Sequence, residues 1–151
     1  MKIRRFKEQD AIEVYEIIKD CFENLAIGKH TRRGIQIQIE SNNPENLIKK
    51  SKQIKYFVVE MDKKVIGIGG YDSQKIHTLF ISPEDHKKGY GRFLLERILF
   101  EAKKEGIKSL ITWSTVFAVG FYESFGFKII KGIEQPDGRH DITLIEMKKV
   151  L

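Results

Sequence analysis

Residues 86–92, His86-Lys87-Lys88-Gly89-Tyr90-Gly91-Arg92, gather three permanent cations around two glycines. That composition suits holding a phosphate or a pyrophosphate. Glycine lets the backbone approach an anion closely, and a helix that starts there offers unpaired N–H groups and the positive end of its dipole. Lys87, Lys88 and Arg92 add charge around this cradle. No Lys-Ser/Thr pair follows the second glycine, so the loop is not a P-loop. The third glycine of a dinucleotide-binding fingerprint is missing as well. A ligand-free tight turn is the competing reading of the same glycines.

Two elements must position that loop. Upstream, Lys75-Ile76-His77-Thr78-Leu79-Phe80-Ile81 reads as a strand with apolar residues at 76, 79 and 81 and one break in its alternation. Ser82-Pro83-Glu84-Asp85 ends it, because Pro83 cannot donate a ladder hydrogen bond. Downstream, a helix runs from Gly91 with Phe93, Leu94, Leu95, Ile98, Leu99 and Ala102 on one face and Gly106 as its C-terminal cap. Ile107 to Trp113 is the next strand, reached by a right-handed crossover and therefore parallel to 76–81.

The chain has 151 residues, 41% hydrophobic and 32% charged, which predicts a single globular domain over 1–151 with a real core. No apolar run approaches the roughly 18 residues of a membrane span. Met1 to Phe6 lacks the apolar centre of a signal peptide. One cysteine, Cys21, excludes an internal disulfide and a cysteine-based metal site. His30, His77, His86 and His140 are scattered, so no metal is expected. A cytoplasmic location follows by default. The net charge of +6 leaves three readings open: nucleic acid, an anionic cofactor, or solubility alone.

Along the chain, Ile3 to Lys7 reads as a strand and Asp10 as the N-cap of a helix with Ala11, Val14, Tyr15, Ile18, Cys21 and Phe22 on one side. Cys21 on that face is a small buried hydrophobe rather than a nucleophile. Ile35, Ile37 and Ile39 alternate with polar residues, a pattern compatible with strand or helix. Asn43 caps a short helix that starts at Pro44 and runs to Lys50. Tyr56 to Met61 and Val65 to Tyr71 form a hairpin around Asp62-Lys63-Lys64, and Gly67, Gly69 and Gly70 suggest a bulge or close backbone packing. Ser114-Thr115 caps a short helix, 116–124, that ends at Gly126. Two strands, 127–133 and 141–147, follow around a Gln135-Pro136-Asp137-Gly138 turn. The fold class is α/β (α+β): a mixed, mostly antiparallel central sheet of about seven strands with helices on both faces.

Two segments resemble a known family. His86-Lys87-Lys88-Gly89-Tyr90-Gly91 is similar to the Arg/Gln-x-x-Gly-x-Gly/Ala signature of the GCN5-related N-acetyltransferase superfamily. Ala118-Val119-Gly120-Phe121-Tyr122-Glu123-Ser124-Phe125-Gly126-Phe127 resembles its later motif, an Ala followed by Phe-Tyr-Glu-x-x-Gly-Phe. The order of elements agrees over nearly the whole chain. The resemblance implies an acyl-CoA N-acyltransferase fold, acetyl-CoA as cosubstrate, and transfer of an acetyl group to a primary amine of a small molecule or peptide. It also implies that the strand 76–81 is bulged and splays from 107–113, with pantetheine between them. Leu79, Phe80 and Ile81 would face the pantetheine and the acetyl group. His86, Lys87, Lys88, Gly89, Tyr90, Gly91 and Arg92 would hold the pyrophosphate, largely through backbone N–H groups. Tyr122 would contact the cosubstrate and protonate the departing thiolate; the competing reading is a core tyrosine. Two positions depart from the pattern: His86 replaces Arg or Gln, and Thr115 stands where the family has Asn.

An incoming ammonium must lose a proton before it attacks. His77 and Glu60 are the candidate bases, each with a plain surface reading beside it. His30, Arg32 and Arg33 lie where the family's substrate wall falls, and otherwise read as a surface loop. Two further hypotheses stay open: a CoA-binding module without catalysis, suggested by His86 and Thr115, and a basic nucleic-acid binder, which has only the net charge in its favour. Dimers are common in the family, so a homodimer is compatible with the resemblance.

Overall fold

The computed structural model describes residues 1–24, 32–134 and 143–151. Its centre is a seven-stranded mixed sheet in the order β1-β2-β3-β4-β5-β7-β6. The strands are β1 Lys2–Arg5, β2 Lys55–Met61, β3 Lys64–Tyr71, β4 Lys75–Ile81, β5 Ser109–Ser114, β6 Lys128–Glu134 and β7 Thr143–Val150. Every neighbouring pair is antiparallel except β4 and β5, which are parallel. The helices are α1 Ala11–Asn24, α2 Arg32–Ser41, α3 Pro44–Lys50, α4 Tyr90–Lys104 and α5 Val119–Glu123.

The sheet has two apolar faces. On one, Val14, Ile17, Ile18 and Cys21 of α1 and Leu47 of α3 pack on Tyr56, Val58, Val65 and Ile68. On the other, Leu94, Leu95, Ile98 and Ala102 of α4 and Tyr122 of α5 pack on Phe57, Val59, Ile66, Ile76, Leu110 and Met147. Gly69 explains how closely α4 sits on β3. A Cβ there would stand 2.8 Å from Ile98 Cδ1 and 2.9 Å from Leu79 Cδ1. The β2–β3 hairpin turns through Asp62 (φ 48°) and Lys63 (φ 65°), both left-handed, which matches the twist of the strands it joins.

Several local expectations change. The alternating isoleucines of 35–39 lie in helix α2, with Gly34 and Ile39 buried and Gln36 and Glu40 outside. Asp10 does not cap a helix amide. It closes a 3-10 turn, Glu8–Asp10, and its carboxylate accepts from the Lys7 amide at 2.8 Å and from both terminal nitrogens of Arg4 at 2.8 and 2.9 Å. Burial alone would raise its pKa; the Arg4 and Lys7 bonds outweigh that and hold it below the usual carboxylate range. Thr115 sits at the cap position before a 3-10 turn, Val116–Ala118, without a side-chain cap bond; its carbonyl accepts from the Ser114 hydroxyl instead, at 2.7 Å. Asn43 does cap α3, accepting from the Asn46 amide at 2.8 Å. The turn expected at 135–138 lies outside the described residues.

Candidate active site

The parallel pair β4–β5 is joined at only two positions, Lys75 opposite Ile111 and Ile76 opposite Thr112. Beyond them the strands separate. The cause is in β4: β3 pairs Tyr71 with Ile76 and Gly70 with Thr78, so His77 is an extra residue, a β-bulge. The bulge also reverses the faces. Ile76 joins the core under α4, whereas Thr78 meets the hydroxyl of Tyr56 on the α1–α3 side. Downstream, the Ser82 amide donates back across β3 to the Ile66 carbonyl at 2.8 Å. Strand alternation then turns the backbone groups of Leu79 and Ile81 into the gap, and commits those of Phe80 to β3. The Phe80 ring packs on Phe22 of α1, with centroids 5.5 Å apart.

This gap opens a cavity of about 1080 Å³ lined from both faces of the sheet. Its first end is the loop before α4. Lys87 (φ 62°) and Gly89 (φ 87°) are left-handed, and a loop with left-handed residues so close together can turn N–H groups toward one concavity. Among the described residues, the amides of 87–92 meet no acceptor in the protein. A Cβ on Gly91 would fall 3.7 Å from Ile81 and 3.8 Å from Phe121, so the helix start lies close against the end of β4. His86 Nε2 donates to the Ile81 carbonyl at 2.7 Å, and the Cys21 thiol donates to the same oxygen at 3.2 Å. Burial pushes the Cys21 thiol up to about 12, so it holds its proton and is no nucleophile. The Arg92 guanidinium lies 4.6 Å from the Phe125 ring centroid, and Lys88 pairs with Asp85 at 3.3 Å.

Tyr122 forms the floor. It is 7% exposed, edge-on to Phe121 and Phe127 at 5.3 and 5.4 Å, and reaches the cavity beside Thr112. Burial raises its pKa, against the opposing effect of the Thr112 hydroxyl, so the phenol is protonated at neutral pH. Thr115 also lines the cavity.

At the bulge, His77 Nε2 lies 2.6 Å from Asp72 Oδ2. The other oxygen of Asp72 accepts the amides of Gln74 and Lys75 at 2.8 and 2.9 Å, which fixes the carboxylate. Asp72 therefore holds the imidazole with Nδ1 free, and His77 lines the cavity. Glu60 does not: it accepts from Arg4 at 3.2 Å, away from the cavity wall. Arg32 and Arg33 are exposed at the start of α2 and do not line the cavity, while His30 and His140 lie outside the described residues.

Sequence reasoning missed the second end, where Gln38, Ser41, Asn42, Lys50, Tyr56 and Trp113 contribute. Lys75 Nζ sits 3.6 Å above the Trp113 ring, whose Nε1 donates to Glu146 at 3.1 Å. The Asp72-Ser73-Gln74 turn was a readable signal; its meeting with His77 was not, because the bulge creates it. Among the described residues no three metal-binding side chains cluster, and no helix is long and apolar enough to cross a membrane.

A family model described as an acetyltransferase (GNAT) domain matches residues 27–151. The [Ribosomal protein bS18]-alanine N-acetyltransferase of Escherichia coli K12 is 30% identical over 83 residues, half of this chain. That match spans 56% of the relative's own length. The fold superposes on a GCN5-related N-acetyltransferase from Rhodopseudomonas palustris with a TM-score of 0.90 at 14% identity, covering 99% of this chain and 95% of the other. The PaiA N-acetyltransferase of Thermoplasma acidophilum, in complex with coenzyme A, gives 0.81 at 21% identity, covering 99% and 98%.

Proposed function

Because the chain belongs to the GNAT acetyltransferase family, we propose that it transfers an acetyl group from acetyl-CoA directly to a primary amine of a small molecule or peptide. One observation carries the reading: among the described residues, unpaired amides at 87–92 stand beside a strand that parts from β5 after Ile76 and turns the Leu79 backbone into the gap. The first set suits a pyrophosphate and the second an extended amide-bearing arm, together the two halves of coenzyme A. The Thermoplasma relative crystallised with coenzyme A supports the assignment. The Escherichia coli relative is named for an alanine of a ribosomal protein, which supports a peptide amine as one acceptor. The single domain 1–151 and a cytoplasmic setting belong to the same proposal.

When bound, acetyl-CoA supplies an activated thioester. The amides of Lys87, Lys88, Gly89, Tyr90, Gly91 and Arg92 hold the diphosphate, with the side chains of Lys87 and Arg92 adding charge. His86 braces that loop against β4 through the Ile81 carbonyl. The Leu79 amide, turned into the gap, donates to the oxygen on which negative charge develops. His77 takes a proton from the acceptor through Nδ1, directly or by one water. Tyr122 gives its proton to the leaving thiolate. Holding both reactants in one gap supplies much of the acceleration.

The test is Tyr122→Phe, read by thiol release and by CoA binding. Turnover should fall roughly 10²–10⁴-fold while CoA affinity holds. Coenzyme A at about a hundred times its dissociation constant should stabilise the protein by about 2.7 kcal/mol. Coenzyme A binding without modification of any amine would reduce the protein to a binding module; no binding would remove the proposal.

A further inference from the structure

Of the two half-buried lysines in the cavity wall, Lys50, the last residue of α3, is the one whose partners are all neutral. It is half-buried, and its ammonium donates to the Ser41 carbonyl at 2.8 Å and the Asn42 side-chain oxygen at 3.4 Å. Both acceptors are neutral. Burial lowers its pKa, and no carboxylate acts in the other direction. Lys75, the other lysine at this end, is different: it has the Trp113 face, and Asp72 and Glu146 nearby. Arg4, Lys55, Lys88 and Arg97 each meet a carboxylate. Among the described residues, the one carboxylate that lines the cavity is Asp85, at the far end, already paired with Lys88.

A partly desolvated ammonium with no counter-charge is costly, and a ligand that brings the counter-charge recovers that cost. The bonds to Ser41 and Asn42 use two of the three N–H donors. We propose that Lys50 binds a carboxylate carried by the acceptor close to its reacting amine, which makes the acceptor class amino acids or peptides with an acidic side chain next to their N-terminus. A polyamine would instead bring a like charge to the same wall. This inference rests on the acetyl-transfer reading above and names the acceptor for it.

The experiment follows thiol release from acetyl-CoA with matched pairs of amines. One pair is alanine and alaninamide; the other is Ala-Glu-amide and Ala-Gln-amide. Spermidine is the cationic control. The carboxylate member of at least one pair should show a kcat/KM roughly tenfold or more above its carboxamide. Which pair responds distinguishes a free amino acid from an acidic peptide. Lys50→Gln, which can still donate to the Ser41 carbonyl, should collapse that ratio toward one, and Lys50→Arg should keep it. Melting temperature and CoA affinity check that each variant is folded. A ratio unchanged in Lys50→Gln overturns the inference, as does a wild-type preference for carboxamides or spermidine. In both of those cases acetyl transfer itself still stands. No thiol release from any amine, with CoA still bound, overturns both readings.

Discussion

The two ends of the cavity handle charge by different means. At 87–92 the donors are backbone amides set by left-handed residues, so the site is built by main-chain conformation. At the α2–α3 end the groups are side chains, Lys50 and the Asp72–His77 pair, brought together by tertiary packing. A backbone site tolerates changes of side chain but not of φ. A side-chain site is the reverse, so substitutions should separate the two ends cleanly.

The largest effect belongs to neither end but to the floor they share: Tyr122→Phe should cost roughly 10²–10⁴-fold in kcat with both ends still binding. Next, His77→Ala should lower kcat on the order of a hundredfold and Asp72→Asn on the order of tenfold. The KM for acetyl-CoA should hold in each, and a rise in it would break the distinction between the ends. At the backbone end, Gly89→Ala forces a side chain into φ 87°, a strain of about 1–2 kcal/mol. It should weaken coenzyme A by calorimetry, roughly tenfold at 1.4 kcal/mol, whereas Lys88→Ala should weaken it less. His86→Ala should cost about 1 kcal/mol of CoA affinity through the lost Ile81 bond, and His86→Gln should recover part of it.

The smallest change is one of pH and lies outside the cavity. Asp10 has a folded pKa below its unfolded value, so its contribution to stability is complete above the unfolded pKa of about 3.9 and is lost as the pH falls from there through the folded value. Thermal melts should show this acid loss in the wild type and not in Asp10→Asn. Activity that declines at higher pH than the melt does would then belong to the site and not to the fold.

This division also explains what could be read from the amino-acid order. Gly89 and Gly91 were legible because few residues besides glycine suit a left-handed helix entry or a close approach to β4. Tyr122 was legible through its motif, and Asn43-Pro44 through local capping chemistry. The isoleucines at 35, 37 and 39 were ambiguous because a spacing of two also places 35 and 39 one helical turn apart. Lys50 and Trp113 carried no local signal, and Asp72 signalled its turn but not its meeting with His77. Their roles depend on one extra residue in β4 and on how α2 meets α3. Thr115 holds the cap position that its place in the sequence suggested, but its side chain makes no cap bond.

Separation of β4 from β5 leaves a gap in the sheet that residues of both faces line. Two reactants that approach such a gap from opposite faces need not queue at one. For the acetyl transfer proposed above, both reactants would then be held at once, so initial-rate lines for the pair should intersect instead of running parallel, and a plug lodged on one face should leave traffic from the other open.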